Sequence, residues 1–111
     1  MKRPILFIGY EPSLRNEIRD FLTDREGVAY FSDAVEDTLQ IMRSRDFDTV
    51  VLNIQRIEDA AILRYINMHY QKTHVLIMPG RQLQDAITAL VDGQYEILHE
   101  PFRLEELKTF I

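Results

Sequence analysis

The chain has no cysteine among its 111 residues. That excludes disulfides and thiolate metal sites, and it is compatible with a reducing compartment. Positive charge is scarce. Thirteen Lys and Arg stand against eighteen Asp and Glu, for a formal net charge of −5. A nucleic-acid-binding face would need the opposite balance. Long apolar runs are missing as well. No stretch approaches the roughly 20 residues that cross a bilayer, and the run from Pro4 to Ile8 is too short for the apolar region of a signal peptide. The expectation is a cytoplasmic protein that contacts neither nucleic acid nor membrane. Glycine and proline are few, four of each, and they punctuate the apolar segments.

What remains is ordinary globular sequence, 46% hydrophobic and of a length that fits one domain, residues 1–111. Pro4 to Ile8 reads as a buried strand ended by Gly9. Pro12 suits the first turn of a helix whose apolar face is Leu14, Ile18, Phe21 and Leu22. Gly27 breaks the chain before a short edge strand, Val28 to Phe31. Asp33 with Glu36 three residues on signals a helix cap, and Val35, Leu39 and Met42 form the stripe of that helix. Asp48 to Asn53 is a run buried on both faces, the mark of a central parallel strand. Asp59 is placed to cap a third helix with Ile62, Leu63, Ile66 and Tyr70 inside. His74 to Met78 is a fourth strand closed by Pro79-Gly80. Leu83, Ala86, Ile87, Leu90 and Val91 repeat at helical spacing up to a stop at Gly93. Tyr95 to His99 is a fifth strand, and Pro101 precedes a last helix with Leu104, Leu107 and Ile111. Five strands alternating with five helices imply an α/β fold with a parallel sheet covered on both faces. The last helix spans barely two turns, which fits either a piece of a longer chain or a frayed end.

In such sheets function gathers beyond the carboxyl ends of the strands. Asn53 stands there, and its amide is neither a nucleophile for phosphoryl transfer nor a good ligand for a hard cation.

Three stretches resemble the receiver domains of bacterial response regulators. They are Ile5 to Pro12, which is similar to the family's opening strand and acidic turn, Asp48 to Asn53, and Tyr95 to Leu107 with its Glu100-Pro101-Phe102. The resemblance implies a flavodoxin-like (CheY-like), doubly wound sheet of five strands in the order 2-1-3-4-5. It also implies where the chemistry would lie. The Mg²⁺-binding acidic pair falls on Gly9 and Tyr10, the phosphoacceptor aspartate on Asn53, the hydroxyl residue on Pro79 and the lysine on Glu100. The aromatic switch falls on Ile97. The Met-Pro pair and glycine of the third loop fall on Arg56-Ile57 and Ala61. Every one of these positions departs from the family's pattern, and Glu11 is the one carboxylate left beside the acidic pair. The expectation is a degenerate pseudo-receiver with no catalytic residue, no metal and no cofactor. It would act in bacterial signalling or transcription regulation by binding a protein partner or a second copy of itself. The interaction face implied by the family comprises Asp85, Ala89, Tyr95 and Ile97.

Other readings stand beside this one. The former phosphorylation pocket could serve a small-ligand sensor, or displaced residues could still accept phosphate. Asn53 either bonds neighbouring backbone or binds a ligand in place of phosphate. Tyr10 either fills the lost Mg²⁺ site or stacks on a nucleotide or flavin, although Gly9 to Ser13 lacks the Ser/Thr-rich loop of FMN sites. Arg56, Arg81 and Arg103 either hold an anion or pair with Glu58, Asp59 or Glu100. If the Glu100 carboxylate enters the old pocket, Arg56 or Arg81 is expected to meet it, and the family implies a cis bond before Pro101. His69, His74 and His99 lack metal-site spacing.

Overall fold

The structure, a computed structural model, describes residues 3–23, 27–90, 95–98 and 103–109. Glu100, His99, Val91, Gly93, Ile111 and the Glu100–Pro101 bond lie outside the described residues. Five strands form one parallel sheet: β1 (Arg3–Ile8), β2 (Gly27–Ser32), β3 (Thr49–Ile54), β4 (His74–Pro79) and β5 (Glu96–Ile97). Their order is β2-β1-β3-β4-β5. This is the flavodoxin-like arrangement. Among the described residues four α-helices connect them: α1 (Pro12–Leu22), α2 (Val35–Ser44), α3 (Ala60–His69) and α4 (Gln84–Leu90).

Strands flanked by helices on both faces need apolar side chains pointing both ways. Alternate residues of the central strands therefore feed two cores. Leu6, Ile8, Val50, Leu52, Ile54, Val75 and Ile77 pack with Met42 of α2, Ile62, Leu63 and Ile66 of α3, and Ile87 of α4. Ile5, Phe7, Val51, Leu76 and Met78 pack with Ile18 and Leu22 of α1 and with Leu107. The doubly wound architecture follows from this split.

Several local expectations are corrected. Gly27 does not break the chain; it is the first residue of β2, paired with Arg3. A Cβ there would lie 3.2 Å from Ile5 Cδ1 and 3.2 Å from Leu22 Cδ2, so glycine allows strand and helix to pack closely. Asp33 does not cap α2. The N-cap is Ala34, with no side-chain cap bond, and Asp33 is drawn to Arg15 instead. Asp59 occupies the N-cap of α3 without capping it; its carboxylate turns back to the Gln55 and Arg56 amides. In α2 the stripe is displaced, with Val35 48% exposed and Thr38 fully buried. Leu83 lies in a 3-10 turn, Arg81–Leu83, ahead of α4. The last element, Leu104–Thr109, is 3-10 rather than α-helical, and Leu107 on it is buried in the core. β3 runs one residue beyond Asn53, because Ile54 still pairs with Pro79.

Candidate functional site

The strand order reverses between β1 and β3, so the loops that leave their carboxyl ends part to opposite faces. The crevice between them is where α/β folds of this kind place their sites. Gly9 follows β1 with φ +84°, a conformation that side chains with a Cβ rarely adopt. Its N–H donates to the Ser32 carbonyl at 2.9 Å. Its carbonyl accepts from Asn53 Nδ2, also at 2.9 Å. Both peptide groups flanking Gly9 are thus anchored, one to β2 and one to β3.

Asn53 uses both halves of its amide. While Nδ2 donates to Gly9, Oδ1 accepts from Gln55 Nε2 at 2.7 Å. Gln55, two residues on, is the first residue past the end of β3. The Gln55 and Arg56 amides in turn donate to Asp59 Oδ2, each at 3.2 Å. On the other side, Ser32 Oγ and Thr38 Oγ1 are 2.8 Å apart, and Thr38 Oγ1 donates to the Ala34 carbonyl at 2.9 Å. With the threonine proton so used, Ser32 is the donor of that pair. A chain of hydrogen bonds therefore crosses the top of β2, β1 and β3, from the start of α2 to the loop before α3.

Tyr10 is only 3% exposed. Its ring stands edge-on to Phe7, with centroids 5.7 Å apart and planes at 80°, a favoured aromatic geometry. Its hydroxyl donates to the Met78 sulfur at 2.8 Å. Burial pushes the phenol far above its ordinary titration range. The Tyr10 carbonyl accepts from Arg15 Nε at 2.9 Å, and the same guanidinium pairs with Asp33 at 2.6 Å. Arg15 and Arg19 also lie over the Phe31 ring, at 5.3 and 4.8 Å from its centroid. Pro79 is buried at the end of β4, and Gly80 N–H closes the strand on the Ile54 carbonyl at 2.9 Å.

These side chains do not suit Mg²⁺. Gly9 offers a carbonyl already bonded by Asn53, Tyr10 offers a neutral phenol turned onto sulfur, and Asn53 offers an amide with both ends taken. Among the described residues no group of three or more His or acidic side chains is placed to hold a metal ion. His69 packs on Tyr65 with centroids 4.5 Å apart, and His74 Nε2 lies 3.0 Å from Glu96 Oε1. Arg56 is near Asp59, at 3.7 Å, and is 75% exposed; Arg81 and Arg103 are exposed too.

Gly9, Tyr10 and Asn53 are brought together around one crevice, with Pro79 at the end of the strand that pairs with β3. The remaining position, Glu100, is outside the described residues. Asp85 and Ala89 are exposed on α4, as are Gln82 and Thr88 nearby. Tyr95 and Ile97 are half-buried and pack on the core that includes Ile77 and Ile87. Gln55, Arg15, Ser32, Thr38 and Met78 belong to the site and were missed in the sequence. Gln55 alone carried a signal, its nearness to Asn53 in the sequence. No helix among the described residues is long and apolar enough to cross a membrane.

No protein-family model matches the sequence, and no curated protein does. Solved structures match the fold. NtrX from Brucella abortus is similar over 99% of this chain, with a TM-score of 0.80 and 22% identity. This chain spans only 26% of that protein's length. The signal receiver domain of an HD domain-containing protein from Pseudomonas fluorescens Pf-5 has a TM-score of 0.82 at 19% identity, over 98% of this chain and 90% of its own. A chain in the crystal structure of the histidine kinase ThkA in complex with the response regulator protein TrrA has a TM-score of 0.77 at 20% identity, over 99% and 95%. The chain thus has the CheY-like fold of bacterial receiver domains.

Proposed function

We propose that this chain is a receiver-like protein-interaction module of bacterial signalling that works without phosphorylation and without catalysis of its own. The observation that carries the reading is the Asn53 amide, bonded at Nδ2 to the Gly9 carbonyl and at Oδ1 to Gln55. A phosphoacceptor needs a free carboxylate, a hard cation beside it and a positive group for the developing charge. The crevice offers an engaged amide, a buried tyrosine and a proline at the corresponding places. The alternative of a small-ligand sensor is less well supported, because the Tyr10 ring is seated inside the fold. The resemblance to receivers, one of them in a structure with a histidine kinase, supports a protein partner, and a second copy of the chain is proposed beside it.

The test is incubation with acetyl phosphate and Mg²⁺ followed by intact-mass measurement. An unchanged mass is expected; a stoichiometric phosphoryl adduct overturns the reading. The proposed working face is the exposed side of α4 with β5, around Asp85, Ala89, Tyr95 and Ile97. Asp85→Lys combined with Ala89→Glu changes only exposed positions. This pair is expected to weaken association, read by sedimentation velocity for self-association and by titration calorimetry for a partner domain. Unchanged association moves the face elsewhere.

A further inference from the structure

We propose that Asn53 is a positioning residue: its amide locks the Gly9 hinge and thereby keeps the Tyr10 ring seated in the crevice, so that the crevice is closed by the chain's own side chain. The inference goes beyond the signalling role and stands on geometry alone. Gly9 is the one described glycine at positive φ, and it directly precedes the buried ring. A hinge of this kind turns freely unless the peptides on both sides are fixed. The Ser32 carbonyl fixes one and Asn53 Nδ2 fixes the other, both at 2.9 Å. Gln55 orients the amide, because its donor on Oδ1 leaves Nδ2 to face Gly9. Beyond the hinge, Arg15 holds the Tyr10 carbonyl and Met78 receives the hydroxyl.

The lock depends on a donor. A carboxylate at position 53 has none at neutral pH and would set its oxygen against the Gly9 carbonyl, acceptor against acceptor. The aspartate that the receiver resemblance leads one to expect would therefore release the hinge instead of restoring a site. Alanine at position 9 would be opposed as well, by its positive φ.

The experiment follows Tyr10 in Asn53→Asp and in Gln55→Ala, without any phosphodonor. Each protein is treated with tetranitromethane, and nitration is located by peptide mass mapping. Tyr30, Tyr70 and Tyr95, all partly exposed, serve as internal references. In the native chain Tyr10 is expected to react slowest. In Asn53→Asp its nitration and the exchange of the Gly9 amide are expected to rise roughly two- to fivefold, the lower part of what loss of one hydrogen bond implies, because the Asn53–Gly9 bond is solvent-exposed. The exchange of the Val50 to Leu52 amides should not change. Gln55→Ala alters an exposed side chain and is expected to give a smaller rise in the same direction. It decides the matter alone if circular dichroism finds Asn53→Asp unfolded. A Tyr10 that stays as protected in the folded variants as in the native chain overturns the proposal, and so does acceleration spread evenly over all tyrosines. Failure here leaves the phosphoryl-uptake result untouched, so the two readings fall separately.

Discussion

A phenol that is 3% exposed must find a partner for its hydroxyl, and Tyr10 has found a thioether. The arrangement fixes how the residue should respond to substitution and to pH. Tyr10→Ala removes a buried ring and is expected to cost about 3–5 kcal/mol. Tyr10→Phe keeps the edge-on contact with Phe7 and loses only the weak bond to sulfur, so its cost at pH 7 should stay within about 1 kcal/mol. The pH dependence has a definite sign. Burial raises the folded-state pKa of Tyr10 above its unfolded value of 10.0. Above that value the unfolded chain loses a proton that the folded chain keeps, so stability falls as pH rises. Below it the contribution is fully present. The native chain is therefore expected to lose more stability than Tyr10→Phe between about pH 9 and pH 11, as measured by urea midpoints. Equal losses in the two proteins would show that the ring is not seated as described.

At the scale of the element, α2 is held by a polar contact inside an apolar stripe. A sequence stripe of Val35, Leu39 and Met42 places Val35 inward, yet it is 48% exposed while Thr38 is fully buried. The reason lies outside the helix. Ser32, at the end of β2, presents a buried hydroxyl that needs an acceptor. Thr38 supplies it and passes its own proton to Ala34. The helix turns to satisfy that pair, and Val35 is left at the rim. Thr38→Val keeps the volume but orphans Ser32 Oγ, and is expected to destabilise by about 1–2 kcal/mol. Val35→Glu should change stability by less than about 0.5 kcal/mol, since it adds a carboxylate to a first turn that already carries Glu36 and Asp37. Urea unfolding of both variants checks the order. A larger loss at Val35 would restore the simple stripe.

For the molecule as a whole, the decisive property is whether the top of the sheet responds to a phosphoryl group at all. A ligand that binds only the folded state stabilises it by about 2.7 kcal/mol at one hundred times its Kd. About 1 kcal/mol shifts the Tm of a domain of this size by roughly 4–8 °C, so the full effect would be a rise of roughly 11–22 °C. Beryllofluoride with Mg²⁺ mimics an aspartyl phosphate. With Asn53 bonded at both ends and Tyr10 in the crevice, neither reagent is expected to move Tm by more than about 1 °C. A clear rise in thermal scans would mean that the crevice opens to admit the mimic. The same polar chain ties the top of the sheet together, since Gln55, Asn53, Gly9, Ser32 and Thr38 each make a hydrogen bond within it.

The parallel sheet was legible in the sequence because its central strands are buried on both faces. Val50-Val51-Leu52 and Val75-Leu76-Ile77 are apolar at every position, and no other element type fits runs so short between punctuating residues. The same holds for α1 and α3, whose buried faces follow from the 3.6-residue period. Asn53 was placed at the carboxyl end of a strand by the sequence pattern itself, whereas Gly9 and Tyr10 were singled out by the resemblance to receivers. What the tertiary structure decided is where polar side chains turn. Asp33 faces Arg15, and Asp59 faces the Gln55 and Arg56 amides, although both sit in capping sequences. A cap competes with every other donor in reach: for Asp33 that donor, Arg15, lies eighteen residues away, and for Asp59 the donors are amides three and four residues before it, turned toward it by the loop that follows β3. Gly27 likewise lies in a strand because Ile5 and Leu22 crowd it. The bond from Asn53 to Gly9 joins residues 44 positions apart. No local pattern encodes such a pair, since it exists only once β1 and β3 lie side by side.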